Sequence, residues 1–398
     1  MSLRSISISK LYITVAVYSL VANFAHPITP TFIQELGLND YMFGVAFACM
    51  SLTNFLFSPF WGKISHNFGV VKTMGFCYVG YALSQLAFGL STSELGIIIA
   101  RLVGGFFIGG ITVDQILYIM DYSSSQTVGQ NLANNVTINV IIAAFGYMVG
   151  GFLGNISTIF TFIVQAIGLF LTGVLCFVLL EDDEAYRTKM PLKEVVKSSN
   201  PFSAIIASRK IMSVMIIFFL AVCILTSFAS TSYEQCFNYF IKDQYGFPPS
   251  YNGILKALVG IITLVANMTI CRYLMKKTDI TKTIIPVLIV CFMMMVSIVI
   301  LEDVVPFIIM NVVFFGFNAV YQPLLQAMIS LMNKSDDGIL VGLYNSMRSL
   351  GNVGGSLIAG FIYSYGAKMS FVLSAIAFLL AIFFAAMYYL TYRRKASS

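Results

Sequence analysis

Six charged or histidine side chains lie inside long apolar stretches, and they are the residues of this sequence that could do chemistry: His26, Arg101, Asp114, Glu234, Lys256 and Arg348. In apolar surroundings such groups are costly, so they generally face protein, water or a partner and mark functional sites. Histidine titrates near neutral pH unaided, and an apolar environment can bring a carboxyl to do the same. The chemistry that they indicate is the binding and release of protons.

We expect Glu234 to carry a coupled proton, with His26 or Arg101 modulating it. The alternative is that Glu234 lies at a wet outer mouth and pairs with Lys256. Arg101 should lie about 10 Å from the outer end of its helix at 1.5 Å per residue, or else snorkel to the outer headgroups. Asp114, thirteen residues further along, is another proton-coupling candidate. Its depth, about 20 Å beyond Arg101, better fits an inner-gate or structural carboxylate.

Twelve apolar stretches position these residues, each close to the roughly 20 residues that a membrane-spanning helix needs. The chain is 58% hydrophobic and 10% charged, with a mean hydropathy of +0.87, which excludes a soluble domain of this size. Backbone groups have no partner in lipid, so each stretch must be helical. The predicted spans are 11–34, 41–61, 73–92, 95–119, 132–153, 157–180, 211–239, 250–274, 282–301, 304–332, 338–364 and 369–391.

Basic residues predict the orientation, because cytoplasmic loops carry an excess of Lys and Arg. With the N-terminus inside, 18 of the 23 basic residues fall in cytoplasmic segments and two fall outside. Both termini are therefore expected in the cytoplasm, with the protein in the cell membrane. The positive charge then faces anionic lipid headgroups, so we expect membrane lipid and no nucleic acid as a partner.

One long polar segment divides the chain into two halves of six spans. The predicted domains are a six-helix bundle over 1–180, a cytoplasmic linker over 181–210, and a second six-helix bundle over 211–398. A faint repeat supports the division, because Phe-Ile-Gln at 32–34 resembles Phe-Ile-Lys at 240–242, an offset of 208. His26 and Glu234 differ by the same offset. Internal repeats of this kind place a substrate site near the bilayer midplane, between the halves.

Several classes of function are excluded by what the sequence lacks. It has no Walker loop, no dinucleotide fingerprint, no metalloprotease motif and no nucleophile elbow. Seven cysteines are scattered through apolar stretches without metal-ligand spacing. We therefore expect no enzymatic activity, no cofactor and no metal site, and any pumping must draw on an ion gradient or another protein.

Three motifs carry a resemblance that covers essentially the whole chain. The loop after the second span, 59–72, holds Gly62, Ile64 and Gly69 in the pattern Gly-x-Leu-x-Asp-Arg-x-Gly-Arg-Arg/Lys. The fourth span contains Arg-Leu-Val-Gly-Gly at 101–105, and the fifth ends with Gly-Tyr-Met-Val-Gly-Gly at 146–151. With these motifs, the chain resembles the major facilitator superfamily, and most closely its 12-helix drug:proton antiporter branch.

The resemblance implies an all-α membrane protein of 12 helices in two pseudo-symmetric six-helix bundles. In the family the loop Asp caps a helix and pairs with an Arg on span eleven, latching an inner gate. His66 replaces that Asp here, Arg348 stands near the Arg position, and Asp121 is the nearest replacement carboxylate by topology. Arg101 matches a family Arg linked to proton coupling, and Tyr147 replaces a family Pro. The gating candidates are Gly62, His66, Gly69, Lys72, Asp121, Arg348, Gly146, Gly150 and Gly151.

Polar residues inside the spans could line a cavity, although about half could merely bond neighbouring helices. The substrate-cavity candidates are Asn23, His26, Asn54, Arg101, Asn139, Glu234, Lys256, Asn311, Asn318 and Gln322. Glycines repeated every four residues on the fifth and eleventh spans would let a neighbouring helix approach closely, either for packing alone or to let one half rock against the other.

The resulting hypothesis is a monomeric secondary transporter that works by alternating access and exports a small amphiphilic compound in exchange for protons. A second hypothesis is a proton symporter or facilitator that imports a small metabolite. Its substrate could be anionic, because interior bases outnumber interior acids. A third, of another class, is a non-transporting membrane protein that binds lipid or pigment.

Overall fold

The computed structural model describes residues 3–124, 126–182, 191–207, 212–332 and 339–397. These residues form α-helices and one π-helical turn, with no strand among them. The first half contains α1 (Leu3–Ala22), α2 (Ala25–Glu35), α3 (Met42–Phe68), α4 (Val70–Gly89), α5 (Glu94–Tyr122), α6 (Val128–Ile156) and α7 (Thr158–Leu179). Two short helices follow, α8 (Leu192–Ser198) and α9 (Ser203–Ala207).

The second half repeats the succession of long helices. It contains α10 (Val214–Asp243), α11 (Pro249–Ala266), a π-helical turn (Asn267–Cys271), α12 (Arg272–Lys277), α13 (Ile280–Ile300), α14 (Val304–Met332), α15 (Ile339–Tyr363) and α16 (Met369–Ser397). By length and composition, ten helical segments of the described chain can cross a membrane. The other two predicted spans are the helices α4 and α15, of 20 and 25 residues. The predicted all-α fold with 12 membrane helices is confirmed.

The first span is broken between α1 and α2. Pro27 has no N–H to donate to the carbonyl of Asn23, four residues earlier, and its ring disfavours a continuous helix there. On the N-terminal side of the break, the Asn23 side-chain amide donates a hydrogen bond to the Ser19 carbonyl, 2.6 Å away. The break lies roughly 17 Å from the far end of α2, a length of about half the thickness of a hydrocarbon core of about 30 Å.

The helices group into two compact units. Unit 1 comprises Met1–Asn39, Cys49–Pro201 and Phe247–Gly260, and in it α4 packs on α5 and α7, and α1 packs on α6. Unit 2 comprises Asp40–Ala48, Phe202–Gly246 and Ile261–Ser398, and in it α10 packs on α15 and α16. Each unit thus takes in the first turns of a helix from the other half of the sequence. The predicted domain limits at 180 and 210 stay a prediction.

Matched contacts recur inside the two units with the offset of the sequence repeat. In unit 1 a β-carbon on Gly146 would lie 2.3 Å from the Leu20 carbonyl oxygen. In unit 2 a β-carbon on Gly355, 209 residues later, would lie 2.3 Å from the carbonyl oxygen of Phe228, 208 residues after Leu20. These glycines let helix backbones touch.

Aromatic packing repeats in the same way. The Phe32 and Phe162 rings of unit 1 are 5.1 Å apart, and the Phe240 and Phe371 rings of unit 2 are 5.4 Å apart. The offsets are again 208 and 209 residues. The two units therefore share the same internal packing.

Candidate functional site

Arg101 is buried inside unit 1, with 7% of its surface exposed. Its guanidinium carbon lies 3.6 Å from the centre of the Phe88 ring. Its Nη atoms donate to Gln85 Oε1 at 3.4 Å and to Thr29 Oγ1 at 3.5 Å. The side chain therefore lies against protein on α2 and α4.

A chain of neutral amides holds the Arg101 surroundings in place. Gln85 Nε2 donates to the Tyr81 hydroxyl at 3.0 Å and to Gln165 Oε1 at 3.3 Å. Gln165 Nε2 in turn donates to the Ala22 carbonyl, 2.9 Å away at the end of α1. Four helices, α1, α4, α5 and α7, are thus joined through buried hydrogen bonds, and the Gln85 oxygen is oriented towards Arg101. Sequence reasoning missed both glutamines, although each lies within an apolar span.

His26 and Lys256 share an aromatic neighbour in unit 1. The His26 and Tyr147 rings meet edge to face, with centroids 5.6 Å apart. Lys256 Nζ lies 5.4 Å from the centre of the same tyrosine ring, a distance compatible with a cation–π contact. Tyr147 is the residue that replaces the family proline, so this departure from the motif contacts two of the predicted site residues.

Glu234 lies half-buried on α10 of unit 2, next to a side chain that faces the core. That neighbour, Tyr233, is fully buried and donates its hydroxyl proton to Asn311 Oδ1 on α14. Asn311 Nδ2 donates to the Phe307 carbonyl at 2.6 Å. Asn311 therefore joins α10 to α14 in the core of unit 2. The roles of Glu234 as proton carrier and as partner of Lys256 stay predictions.

The other cavity candidates are half-buried and hydrogen-bonded within their own units. Asn139 accepts from Ser19, and Asn318 accepts from Ser230 at 3.0 Å. The backbone carbonyl of Asn54 accepts a hydrogen bond from the Ser58 hydroxyl, one turn along the same helix, at 2.6 Å. Gln322 accepts from Arg348, as described below. Each amide has exposed surface left for a ligand, and their part in a cavity stays a prediction.

Asp114 is fully buried near the other end of α5. Ser65 of α3 donates its hydroxyl proton to one of the carboxyl oxygens. No basic side chain of the described chain lies within ion-pair distance of Asp114. The contact joins α5 to α3 beside the loop motif. The roles of Asp114 in proton coupling and at an inner gate stay predictions.

A carboxylate does cap the helix after the loop motif, but it comes from an unexpected place. Gly69 ends α3 with a φ of 106°, a left-handed value that favours glycine. Asp182, just past α7, accepts from the backbone N–H groups of Val71 at 2.8 Å and Lys72 at 3.4 Å. It thereby binds the first N–H groups of α4, which have no partner within the helix. A carboxylate at this position also complements the positive end of the helix dipole.

The described part of the linker is fastened to the same end of unit 1. Tyr122 donates to the Glu181 carbonyl at 2.7 Å, and Lys10 lies 3.9 Å from the Glu181 carboxylate. Lys63, at the end of α3, donates to the Ser198 carbonyl at the end of α8. Val195 of α8 is fully buried in the hydrophobic core of unit 1. Sequence reasoning identified this segment only as polar and cytoplasmic.

Arg348 of unit 2 donates to Gln322 Oε1 at 3.4 Å and lies 5.4 Å from the Tyr344 ring centre. The predicted partner, Asp121, is half-buried at the end of α5 in unit 1. Their pairing stays a prediction, as do the gating roles of His66 and Gly62.

Glycines of α6 pack against the broken first span. A β-carbon on Gly150 would lie 2.4 Å from the Phe24 carbonyl oxygen, at the break itself. One on Gly154 would lie 2.3 Å from the Ile28 side chain, and one on Gly151 would lie 3.1 Å from Gly253 Cα. The predicted close approach of a neighbouring helix is therefore present on this face.

A separate apolar groove of about 520 Å³ lies between α4 and α5. Leu83, Val103 and Phe107 are among its walls, and none of the predicted site residues lines it. Among the described residues no group of three or more His, Cys, Asp or Glu is arranged to hold a metal ion. The polar side chains around Arg101 and around the break in the first span are therefore separate from this groove.

Comparison with known proteins identifies the family of this chain. The model of the Major Facilitator Superfamily matches residues 11–327. The chain belongs to this superfamily. It is 23% identical to Multidrug resistance protein 1 of Bacillus subtilis (strain 168) over 96% of both chains. It is 22% identical to the quinolone resistance protein NorA of Staphylococcus aureus (strain COL) over 89% of both.

Solved structures of the superfamily share the fold. The crystal structure of the nucleoside transporter NupG matches with a TM-score of 0.68 and 11% identity, over 96% of this chain and 98% of that one. This major facilitator is therefore a multi-pass membrane transporter of small molecules. The resemblance to the drug:proton antiporter branch is confirmed by the resistance proteins among its relatives.

Proposed function

We propose that this transporter exports a small amphiphilic compound in exchange for protons, by alternating access between two six-helix bundles. The observation that carries the proposal is the end-to-end similarity to Multidrug resistance protein 1, which covers 96% of each chain. The broken first span near the bilayer midplane supports it, because discontinuous helices often form the substrate site of transporters. The half-buried His26 and Glu234, 208 residues apart, are the ionisable groups in equivalent places of the repeat.

The proposal includes the predicted organisation. Residues 1–180 and 211–398 form the bundles, residues 181–210 join them in the cytoplasm, and both termini are cytoplasmic in the cell membrane. The protein works as a monomer with membrane lipid around it. Labelling of single cysteines introduced at Ser198 and Lys242 tests this orientation, because impermeant reagent on intact cells should modify only the cysteine at Lys242.

Proton coupling is tested in proteoliposomes with an imposed pH gradient. Efflux of a quinolone should follow the gradient and stop with an uncoupler, and Glu234→Gln should remove the response to the gradient. Glu302→Gln, at an exposed carboxylate beyond α13, is the matched control and should transport normally. Transport that ignores the uncoupler in the unmodified protein would disprove coupling.

Import of an anionic metabolite is the second candidate. The buried Arg101, which has no acidic side chain within ion-pair distance in the described chain, favours it. Deletion of the gene distinguishes the two functions. Loss of an exporter should lower resistance to amphiphilic compounds, whereas loss of an importer should slow growth on carboxylate carbon sources.

A further inference from the structure

We infer that Arg101 binds the anionic group of the transported compound, a carboxylate carried on an apolar, amphiphilic body. This rests on the proposed transport of an amphiphile and names the chemical class of that substrate. It holds for either direction of transport, because a binding group serves both.

The first argument is the charge of Arg101. A guanidinium stays protonated in proteins, so the buried side chain carries a full positive charge. In the described part of the chain no carboxylate lies within 4.0 Å of it, and its Nε atom is buried without a hydrogen-bond partner. A buried charge without a counter-charge is strongly unfavourable. An anionic ligand would supply the missing charge.

The second argument is the quality of the contacts that Arg101 does make. The acceptors around its Nη atoms are neutral: an amide oxygen at 3.4 Å, a hydroxyl at 3.5 Å and the Met50 sulfur at 3.5 Å. Charge-assisted bonds from Arg to a carboxylate are typically about 2.7–2.9 Å long. The existing contacts are therefore long and weak, and a carboxylate could replace them with a gain in free energy.

The third argument is that the guanidinium is already oriented. Phe88 covers one face of the guanidinium plane, and Gln85 is fixed by its bonds to Tyr81 and Gln165. A planar fork held in this way can receive a carboxylate through two parallel hydrogen bonds. Preorganisation of this kind increases affinity, because less motion is lost on binding.

The fourth argument is access. Thr29 on α2 and Met50 on α3 border the Nη atoms, and both side chains are half-exposed. Methionine is unbranched and flexible, so it can move aside and then pack on an apolar ligand. A carboxylate could reach Arg101 past these two residues while its apolar body rests against Met50.

The test compares three probes that share one aromatic body: 2-naphthoate, 2-naphthylmethanol and 2-naphthylmethylammonium. Their dissociation constants are measured on the purified, detergent-solubilised full chain by isothermal titration calorimetry, in sodium isethionate, whose anion carries no carboxylate. We expect the unmodified protein to bind 2-naphthoate about 10- to 100-fold more tightly than the alcohol, and the ammonium probe most weakly. An unmodified protein that does not prefer the carboxylate over the alcohol overturns the inference without any variant.

Two variants assign the preference to this side chain. Arg101→Gln should bind the alcohol as before and lose the preference for 2-naphthoate. Arg101→Lys keeps the charge without the planar fork and should retain part of the preference. Arg272→Gln, at an exposed arginine of α12, is the control and should behave as the unmodified protein. A full preference for 2-naphthoate in Arg101→Gln overturns the assignment.

An inorganic anion could satisfy the same charge, so chloride is titrated in place of isethionate. Chloride binding that depends on Arg101, with no preference for 2-naphthoate over the alcohol, would overturn the carboxylate assignment. These measurements use no gradient, so they are independent of the coupling experiment. A carboxylate preference at Arg101 together with uncoupler-insensitive efflux would disprove proton coupling and leave this inference standing.

Discussion

Gly150→Ala should destabilise the protein, because the first span breaks directly against this glycine. A β-carbon at Gly150 would lie 2.4 Å from the Phe24 carbonyl oxygen, 2.5 Å from its Cα and 2.8 Å from its carbonyl carbon. All three are backbone atoms, which cannot rotate away as the end of a side chain can. The break between α1 and α2 would therefore have to move.

The magnitude follows from two opposing effects. Forcing an extra carbon into a packed site typically costs about 1–3 kcal/mol. Alanine in place of glycine inside a helix gains at most about 1 kcal/mol. Since the clash is with backbone, the first effect should win, and we expect the free energy of unfolding to fall by about 1–2 kcal/mol. Titration with dodecyl sulfate of the protein in mild detergent measures this difference.

The same helix offers a matched control. A β-carbon at Gly129, near the start of α6, would meet no atom within 4 Å, so Gly129→Ala should be neutral or slightly stabilising. In unit 2 the position that matches Gly150 is Ala359, which is fully buried beside the unbroken α10. The break, and not the position in the repeat, therefore requires glycine. If Gly150→Ala is as stable as Gly129→Ala, this reasoning is wrong.

Three further substitutions test single contacts by the same titration. Asp182→Ala removes the side-chain cap of α4 and should cost about 1 kcal/mol, and an unchanged midpoint would show that the cap adds no stability. Val195→Ala in α8 removes two buried methyl groups and should cost roughly 1.5 kcal/mol, whereas Val196→Ala, at a side chain 64% exposed, should stay within about 0.5 kcal/mol. Tyr233→Phe leaves the buried Asn311 oxygen without its donor and should cost about 1–3 kcal/mol. Equal stabilities of the two valine variants, or of Tyr233→Phe and the unmodified protein, would contradict the corresponding contact.

The helices could be predicted from the sequence because long apolar segments have one stable solution in lipid. Their ends agree with the structure to within a few residues, with three exceptions. The helix α1 begins at Leu3, eight residues before the predicted span, α3 ends at Phe68, seven residues after it, and α16 ends at Ser397, six residues after it. These extra turns are largely polar, so hydropathy gives no signal for them. The glycine contacts could be predicted as close approaches, but not the partner helices, which depend on tertiary packing.

The capping carboxylate of α4 could not be predicted from the sequence. The family's capping Asp is replaced by His66 here, and Asp121 is predicted only as the partner of Arg348. Asp182 instead lies 111 residues beyond Val71 and reaches its N–H because α7 packs against α4. Its local sequence, Glu-Asp-Asp-Glu at 181–184, is typical of an exposed polar loop. Only the packing of the helices identifies which of these acids meets a helix terminus.

The hydrogen bonds of a buried polar side chain show whether it has a structural partner, which the sequence alone cannot reveal. Asn311 has both amide atoms occupied inside unit 2, whereas Arg101 has long contacts to neutral groups and an unsatisfied Nε. The packing of the two units repeats with an offset of 208 or 209 residues, but the charge does not, because Ile309 stands 208 residues after Arg101 and is 55% exposed. A repeated scaffold supplies symmetric packing. The shared packing does not require a charge at Arg101, and its long contacts to neutral groups are the physical reason for assigning ligand recognition to it.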